Sequence, residues 1–413
     1  MLDMLLARLI EQGTLTVIWP GGKSRTYGTG GRRVTTRLHG LSTPWAIGLR
    51  PELAFGEAYM DGRLTVEEGT IADVLEIIIS NLGMRPLPRI VRFARALRRS
   101  FRWIVQFNPA SRARRNVAHH YDLSGALYDL FLDSDRQYSC AYFKEPKMTL
   151  EAAQSAKKRH IAAKLKLDRP DLSLLDIGSG WGGMGLELAR GAGANVLGIT
   201  LSTEQLALSN SRAAAAGLAE RCRFAFKDYR DIQGPFDRIV SVGMFEHVGI
   251  MHYDTFFRKM VCLLAPDGVA LLHTIGRTDG PGTTNSWITK YIFPGGYTPA
   301  LSEVMAAIER SGLYATDVEI LRLHYAETLK EWRLRFRKNW AKAVALYDEC
   351  FCRMWEFYLA SAEMTFRYNQ LVVFQIQLAR RIDTLPMTRD YMLDGERRMG
   401  LAPEQLSRAN EAA

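Results

Sequence analysis

The chain has 413 residues, with 54 Lys and Arg against 44 Asp and Glu, so it carries a formal charge of +10. That length exceeds one small domain and predicts a catalytic domain with a smaller companion, and the positive surplus favours anionic partners such as phospholipid surfaces or nucleic acid, between which charge alone does not choose. Five cysteines, Cys140, Cys222, Cys262, Cys350 and Cys352, are odd in number and lack paired CxxC spacing, which excludes a disulfide framework and a zinc site and fits a reduced cytosolic setting.

The opening stretch MLDMLLARLIEQGTL has an apolar stripe interrupted by Asp3, Arg8 and Glu11, so it reads as a helix and lacks the unbroken core of a signal peptide. No later window approaches the roughly 20 apolar residues of a bilayer span, which predicts a protein that is soluble or peripheral to a membrane. TLTVIW reads as a strand, PGGKS and GTGGRR as turns, and a helix is predicted near Ile71 to Ser80. A mixed α+β unit over residues 1–105 follows, with no catalytic grouping in it. Its last part places Arg85, Arg89, Arg92, Arg95, Arg99 and Arg102 opposite Ile90, Phe93, Leu97, Phe101 and Ile104 on one helix. Two readings stay open: a connecting helix with a solvated basic side, or a helix that approaches anionic headgroups, each basic residue contributing about 1 kcal/mol. No zinc finger, helix-turn-helix or stacking pattern accompanies the arginines, so nucleic acid is not an expected partner. Asn108-Pro109 marks a boundary, and the second domain is assigned to residues 106–413.

From about residue 170, apolar strands alternate with helices: LSLLDIG, a helix through Met184 to Arg190, NVLGIT, an alanine-rich helix, CRFAFKD, FDRIVSVG and GVALLHTIG. This order predicts a mainly parallel sheet with helices on both faces and a ligand at the carboxyl ends of the strands. The first strand runs into LLDIGSGWGG, where Asp176, Gly178 and Gly180 form a DxGxG turn. Glycines let backbone approach a ligand closely. An acid two residues ahead of the first glycine suits the ammonium of S-adenosylmethionine better than the pyrophosphate of a dinucleotide. The second strand ends in GITLSTEQ, offering Thr200, Leu201, Ser202 and Gln205, and the third in KDYRD, where Asp228 suits an adenine amine and Tyr229 or Arg230 its ring. After the fourth and fifth strands, MFEHVG and LLHTIG bring Glu246, His247 and His273 toward the same end of the sheet.

HHYDLSGALYDLFLD, YSCAYF, LDIGSGWGG, GITLS, DYRD, MFEHVG, LLHTIG and HYAETLKEW, in this order over about residues 116–380, resemble the cyclopropane-fatty-acid-phospholipid synthases and their mycolic acid relatives. The first hundred residues resemble the lipid-handling domain of phospholipid-acting members, which the mycolic acid enzymes lack. The resemblance implies a Rossmann-like class I methyltransferase sheet and transfer of a methylene group from S-adenosylmethionine to a cis double bond of a phospholipid acyl chain. It also implies a bound bicarbonate as proton acceptor. The positions that match the family's reacting site are Cys140, Glu246, His273, Ile275 and Tyr325. Those at cofactor-contacting positions include Tyr138, Ser139, Gly178, Gly180, Thr200, Gln205, Tyr229 and Arg230; no metal ligand is expected. Cys140 then helps to hold a small anion and is not a nucleophile. The implied setting is cytoplasmic, at the inner face of an anionic membrane, and a homodimer is compatible with it.

The chemistry fixes further expectations. An isolated alkene must be aligned with the sulfonium methyl in the absence of water. The resulting carbocation is stabilised by about 0.5 to 2 kcal/mol per aromatic face, with Tyr121, Tyr138, Tyr142, Phe143, Trp287, Tyr291 and Tyr325 as candidates. Exposing about sixteen methylenes to water costs roughly 12 kcal/mol, so an apolar tunnel is needed, and FYLASAEMTFRYNQLVVFQIQL offers residues that either line one or pack the core. Quenching of the cation without ring closure, giving a methyl-branched or methylene fatty acid, and a catalytically silent lipid-binding protein are the alternatives.

Overall fold

A computed structural model of the chain describes residues 1–83 and 124–399. The arginine-rich segment 85–104, the Asn108-Pro109 boundary and Tyr121 lie outside the described residues.

The N-terminal unit has a four-stranded sheet of β1 (Gln12–Ile18), β2 (Ser24–Tyr27), β3 (Thr29–Leu38) and β4 (Leu64–Glu68), ordered β2-β1-β3-β4. Four helices accompany it, Leu2–Leu9, Thr43–Leu49, Pro51–Met60 and Ile71–Gly83. The Asn81 side chain locks the last helix to β1: Oδ1 accepts from the Glu11 and Gln12 amides at 3.0 and 3.1 Å, and Nδ2 donates to Gln12 O at 2.9 Å. A buried amide with every partner supplied fixes register at little net cost.

The second unit is built on β5 (Ser173–Ile177), β6 (Asn195–Thr200), β7 (Cys222–Phe226), β8 (Phe236–Val242), β9 (Leu264–Arg277), β10 (Tyr314–Leu321) and β11 (Leu371–Ala379), in the order β10-β11-β9-β8-β5-β6-β7. Only β11 runs antiparallel to its neighbours. This is the expected Rossmann-like methyltransferase sheet, with a reversal of strand order at β5, where such sheets open a ligand crevice. Adjacent residues alternate between two cores: Leu175, Ile239 and Leu272 face helices Tyr253–Leu263 and Leu301–Ser311, whereas Leu174, Val240 and Leu271 face helices Leu150–Lys164 and Gly183–Ala192. Burial on both sides is why the parallel strands read as unbroken apolar runs. The LVVFQIQLA part of the proposed tunnel stretch is β11, paired on both edges and buried from Val372 to Ala379, so it is core.

The two units meet across helices Pro51–Met60, Ser286–Tyr291 and Glu349–Tyr368. Trp287 is buried there, its indole N–H 3.3 Å from Met60 Sδ and its ring 4.7 Å from that of Phe357. Any side chain at Gly56 would run into both rings, at 2.5 and 2.8 Å from its Cβ, so the helix approaches this closely only with glycine. Tyr59 donates to Glu356 at 2.6 Å, and Lys290 and Tyr291 reach Glu57 at 2.7 and 2.9 Å. Trp287 and Tyr291, expected as cation-stabilising rings, are thus taken up in this contact. Replacing Trp287 with Ala should cost about 3–5 kcal/mol of stability, measured by chemical denaturation of the full chain.

Candidate functional site

The turn after β5 begins the site. The Gly178 and Ser179 amides both donate to Ile199 O, at 3.0 and 2.9 Å, which draws the turn against the end of β6. Gly178 has φ +84° and a Cβ there would lie 2.9 Å from Met244 Cβ. Gly180, at φ +55°, faces open space, so its backbone borders the cleft directly. Helix Gly183–Ala192 starts just beyond. At the end of β6, the Ser202 hydroxyl caps helix Thr203–Ala215 by accepting from the Gln205 amide at 3.3 Å, and Thr200 Oγ1 donates to Gln205 Oε1 at 2.8 Å.

One cleft at the carboxyl ends of β5, β6, β7 and β8 is lined by Tyr138, Ser139, Asp176, Gly178, Gly180, Thr200, Leu201, Gln205, Asp228, Tyr229 and Arg230. It brings together every residue expected at a cofactor. His247 lines it as well, kept uncharged by burial, which pushes its pKa down to about 4. Asp228 is gripped by Arg230, whose Nε and Nη2 donate to the two carboxylate oxygens at 2.8 and 2.5 Å. The Arg230 guanidinium lies 5.6 Å from the Tyr229 ring centre, and the Tyr229 ring meets Phe256 edge-on at 5.3 Å. This loop is therefore stiffened by its own contacts.

Asp176 sits at the base of the cleft, almost fully buried, and burial raises its carboxyl to about 7, opposed by the charge of Lys157. Its Oδ2 and the Ser179 hydroxyl have no hydrogen-bonding partner in the protein. A buried acceptor with nothing bound to it is costly, and a ligand bearing a cationic amine supplies what it lacks. The unpartnered carboxylate, the bare glycine backbone and the paired hydroxyl and amide at Thr200 and Gln205 fit the amino acid and nucleoside ends of S-adenosylmethionine.

None of the five residues expected at the reacting centre is among those that line this cleft. Glu246 Oε1 accepts from the Ile275 amide at 2.6 Å, while Oε2 has no partner in the protein. His273, buried, meets the Gln375 amide through Nδ1 at 3.1 Å, and its carbonyl accepts from the Gly243 amide at 2.9 Å. Burial drives its imidazole down to about 3, so the ring is neutral, and burial raises the Glu246 carboxyl. Cys140 and Tyr325 form a second group, joined through helix His324–Lys338: the Ala141 amide donates to Thr328 Oγ1 at 3.0 Å, and the Tyr325 ring meets Trp332 edge-on at 5.9 Å. Trp332 stacks on Tyr138 at 5.2 Å. Ile275 packs against the large apolar cluster that includes Cys140 and Tyr325. The Cys140 thiol is buried and held well above its ordinary pKa by desolvation, leaving it a protonated, unreactive group.

The strip Gln137–Phe143 is pinned almost residue by residue. Gln154 Nε2 donates to Gln137 O and Ser139 O at 3.2 and 3.0 Å, the Tyr142 amide donates to Ala153 O at 3.1 Å, and the Phe143 amide to His324 Nδ1 at 3.0 Å. Tyr142 stacks between His160 and His324, at 4.2 and 4.9 Å. The central fastening is Lys157, a residue that sequence reasoning missed. Wholly buried on helix Leu150–Lys164, it donates to Gln137 Oε1 at 2.6 Å and to Ser139 Oγ at 2.8 Å. Burial lowers its pKa to about 8, and its charge is felt at Asp176, Cys140 and His273. Sequence alone gives little signal for it, because AAQSAKKRH reads as an ordinary exposed helix end.

Two outcomes follow. Because the ionised form of Asp176 is the one that attracts an ammonium, and its pKa stands near 7, affinity for S-adenosylmethionine should rise from pH 5.5 to 7.5. The fall below that pKa approaches about tenfold per pH unit, as calorimetry would measure, and Asp176→Asn should flatten the dependence. Lys157→Met should weaken cofactor binding by about ten- to a hundredfold through loss of two charge-assisted hydrogen bonds, with circular dichroism confirming the fold.

Residues 109–376 match the family described as mycolic acid cyclopropane synthetase, and residues 1–84 match a domain of unknown function. A probable fatty acid methyltransferase of Pseudomonas putida is 42% identical over 67% of this chain and 73% of its own. The cyclopropane-fatty-acyl-phospholipid synthase of Escherichia coli is 35% identical over 80% of this chain and 84% of its own. Among solved structures, mycolic acid cyclopropane synthase CmaA1, in complex with SAH and CTAB, superposes with a TM-score of 0.61 at 35% identity, covering 64% of this chain and 97% of that one. With the sheet order, the glycine turn and the Glu246–Ile275 contact already in place, the extent of the match is decisive: the chain belongs to the mycolic acid cyclopropane synthetase family of S-adenosylmethionine-dependent methyltransferases.

Proposed function

We propose that the protein transfers a methylene group from S-adenosylmethionine to the cis double bond of an unsaturated acyl chain in a membrane phospholipid, closing a cyclopropane ring. The observation that carries this reading is the niche at Glu246. Its Oε2 is buried without a partner in the protein, on a carboxylate whose Oε1 accepts from the Ile275 amide two residues beyond neutral His273 on β9, and Tyr138, Trp332 and Tyr325 form a run of packed rings. A polar pocket for one small oxyacid, set against aromatic faces, is what a carbocation with a proton to lose requires.

Bound S-adenosylmethionine supplies a methyl group on a positive sulfur. Asp176, Ser139, Thr200 and Gln205 would hold it by the amine and hydroxyl chemistry described above. Transfer of that methyl to the alkene would form a carbon–carbon bond at the expense of the carbon–sulfur bond and would leave a positive charge on the second alkene carbon. Aromatic faces at Tyr138, Trp332 and Tyr325 stabilise this charge by about 0.5 to 2 kcal/mol each. Loss of a proton from the new methyl releases the electron pair that closes the ring. Burial keeps Glu246 and His273 from acting as strong charged bases themselves, and their placement suits holding a bicarbonate. An oxyacid O–H would donate to Glu246 Oε2, and the nearby positive charge of Lys157 would favour the anion. Fixing the base this way is worth the ~10²–10⁴-fold typical of positioned proton transfer.

The formal charge of +10 supports action at an anionic membrane surface. A second reading, in which the cation is quenched without ring closure, is favoured by the resemblance to the fatty acid methyltransferase of Pseudomonas putida. Phospholipids of a bacterial host that lacks cyclopropane lipids, expressing this chain, separate the two by mass spectrometry. Gain of CH₂ with loss of the unsaturation supports the ring. Gain of CH₂ plus two hydrogens supports branching, and unchanged lipids with cofactor bound would point to a silent binder. Glu246→Gln should leave S-adenosylmethionine affinity in place while lowering turnover by about a hundredfold or more.

A further inference from the structure

Large apolar side chains exposed to solvent concentrate in the N-terminal unit. Leu41, Trp45 and Leu49 are 80, 64 and 69% exposed, and Met4 and Leu5 are 60 and 46% exposed. They are not scattered. Helix Thr43–Leu49 turns Thr43 and Ile47 into the core and leaves Trp45 and Leu49 outside, with Leu41 one step of four before Trp45. Helix Leu2–Leu9 buries Leu2 and Leu6 and presents Met4 and Leu5. The two helices pack together, and the Met1 side chain lies against Gly48. Their outward faces therefore make one apolar surface.

Its charged neighbours are basic. Arg8 closes the first helix and Arg50 joins the second to helix Pro51–Met60, both exposed. Asp3, the acid on the first helix, is held by Arg25 and by the Tyr27 hydroxyl, each at 2.5 Å, so its charge is offset locally. Glu52 lies past Arg50 with its carboxylate 3.5 Å from the Ser286 hydroxyl. An apolar face that carries a tryptophan and is rimmed by arginines matches the layered chemistry of a bilayer interface, apolar within and anionic at the headgroups.

A second observation ties this surface to the reacting centre. The cluster of buried apolar residues that begins at Leu2, Leu6 and Ile47 under the exposed face continues through Ala54, Met60, Trp287, Phe357 and Tyr358 to Cys140 and Tyr325. The exposed face and the expected reacting residues thus rest on one close-packed core, which holds them in a fixed relation.

We infer that the outward face of helices Leu2–Leu9 and Thr43–Leu49, centred on Trp45, seats in the interface of an anionic bilayer that carries the lipid substrate. This rests on the lipid reading of the reaction, and it names the surface that meets the membrane. The exposed positions hold no catalytic or cofactor contact, so they can be altered without touching the chemistry.

The test uses the full chain and vesicles of unsaturated phosphatidylglycerol. The triple variant Leu41→Ser, Trp45→Ser, Leu49→Ser and the single variant Trp45→Ser are compared with the parent by co-sedimentation. Methylene transfer is measured on the same lipid presented in vesicles and in detergent micelles, and thermal unfolding guards against misfolding. Vesicle partitioning of the triple variant should fall by about tenfold or more, with the single variant between, and transfer from vesicles should fall in step while transfer in micelles is retained. Unchanged partitioning overturns the inference. So does a dimeric parent that the triple variant converts to monomers at unchanged partitioning, because the face would then belong to a second copy. Absence of transfer by the parent in micelles would instead count against the proposed reaction, while the partitioning result would still decide the docking surface.

Discussion

The site depends on a lysine placed where lysines seldom go. Lys157 is wholly buried, and the groups that accept its hydrogen bonds are a side-chain amide and a hydroxyl, not a carboxylate. A cation in that position is costly unless its surroundings use the charge. Here Ser139 and Gln137 are held in the cleft wall by it, Asp176 is drawn back toward ionisation by it, and the neighbourhood of Cys140 and His273 is made hospitable to an anion. One interaction thus links Ser139 in the cleft wall to the surroundings of Asp176, Cys140 and His273.

The other ionisable groups follow from burial. His273 and His247 are held neutral and Cys140 protonated, so none of them competes with an alkene for an electrophilic methyl. The walls are rings: Tyr138 stacked on Trp332, and Tyr325 against Trp332 and Phe366. The same apolar continuity that supports the reacting centre extends into the N-terminal unit across Trp287, Met60 and Phe357. The contact between units is therefore part of the same packed core. No helix among the described residues is long and apolar enough to cross a membrane.

Much of this was legible in the sequence because it is written in local pattern. Alternating strands and helices from LSLLDIG onward give the parallel sheet, and the DxGxG turn at Asp176 gives the cleft, since strand ends and glycines report on backbone geometry. The eleven residues expected at the cofactor fall in one cleft, nine of them, all but Tyr138 and Ser139, for that reason. Lys157 was not legible, because whether a helical lysine faces solvent or core depends on which elements pack over it, and the partners Gln137 and Ser139 come from a loop without periodicity. The sequence left Trp287 open between cation site and packing, because an aromatic residue suits both, and the approach of Gly56 places it in the contact between units. The clamp of Arg230 on Asp228 was equally hidden, although both residues stood in KDYRD.

The central claim is that a proton leaves the transferred methyl within a dry, aromatic chamber while the cation is still held. Purified protein given S-adenosylmethionine with a fully deuterated methyl and a monounsaturated phospholipid tests it at the level of atoms. The account predicts lipid that retains two of the three deuterium atoms in a new ring carbon. Lipid that retains all three, or that gains no label, would contradict it.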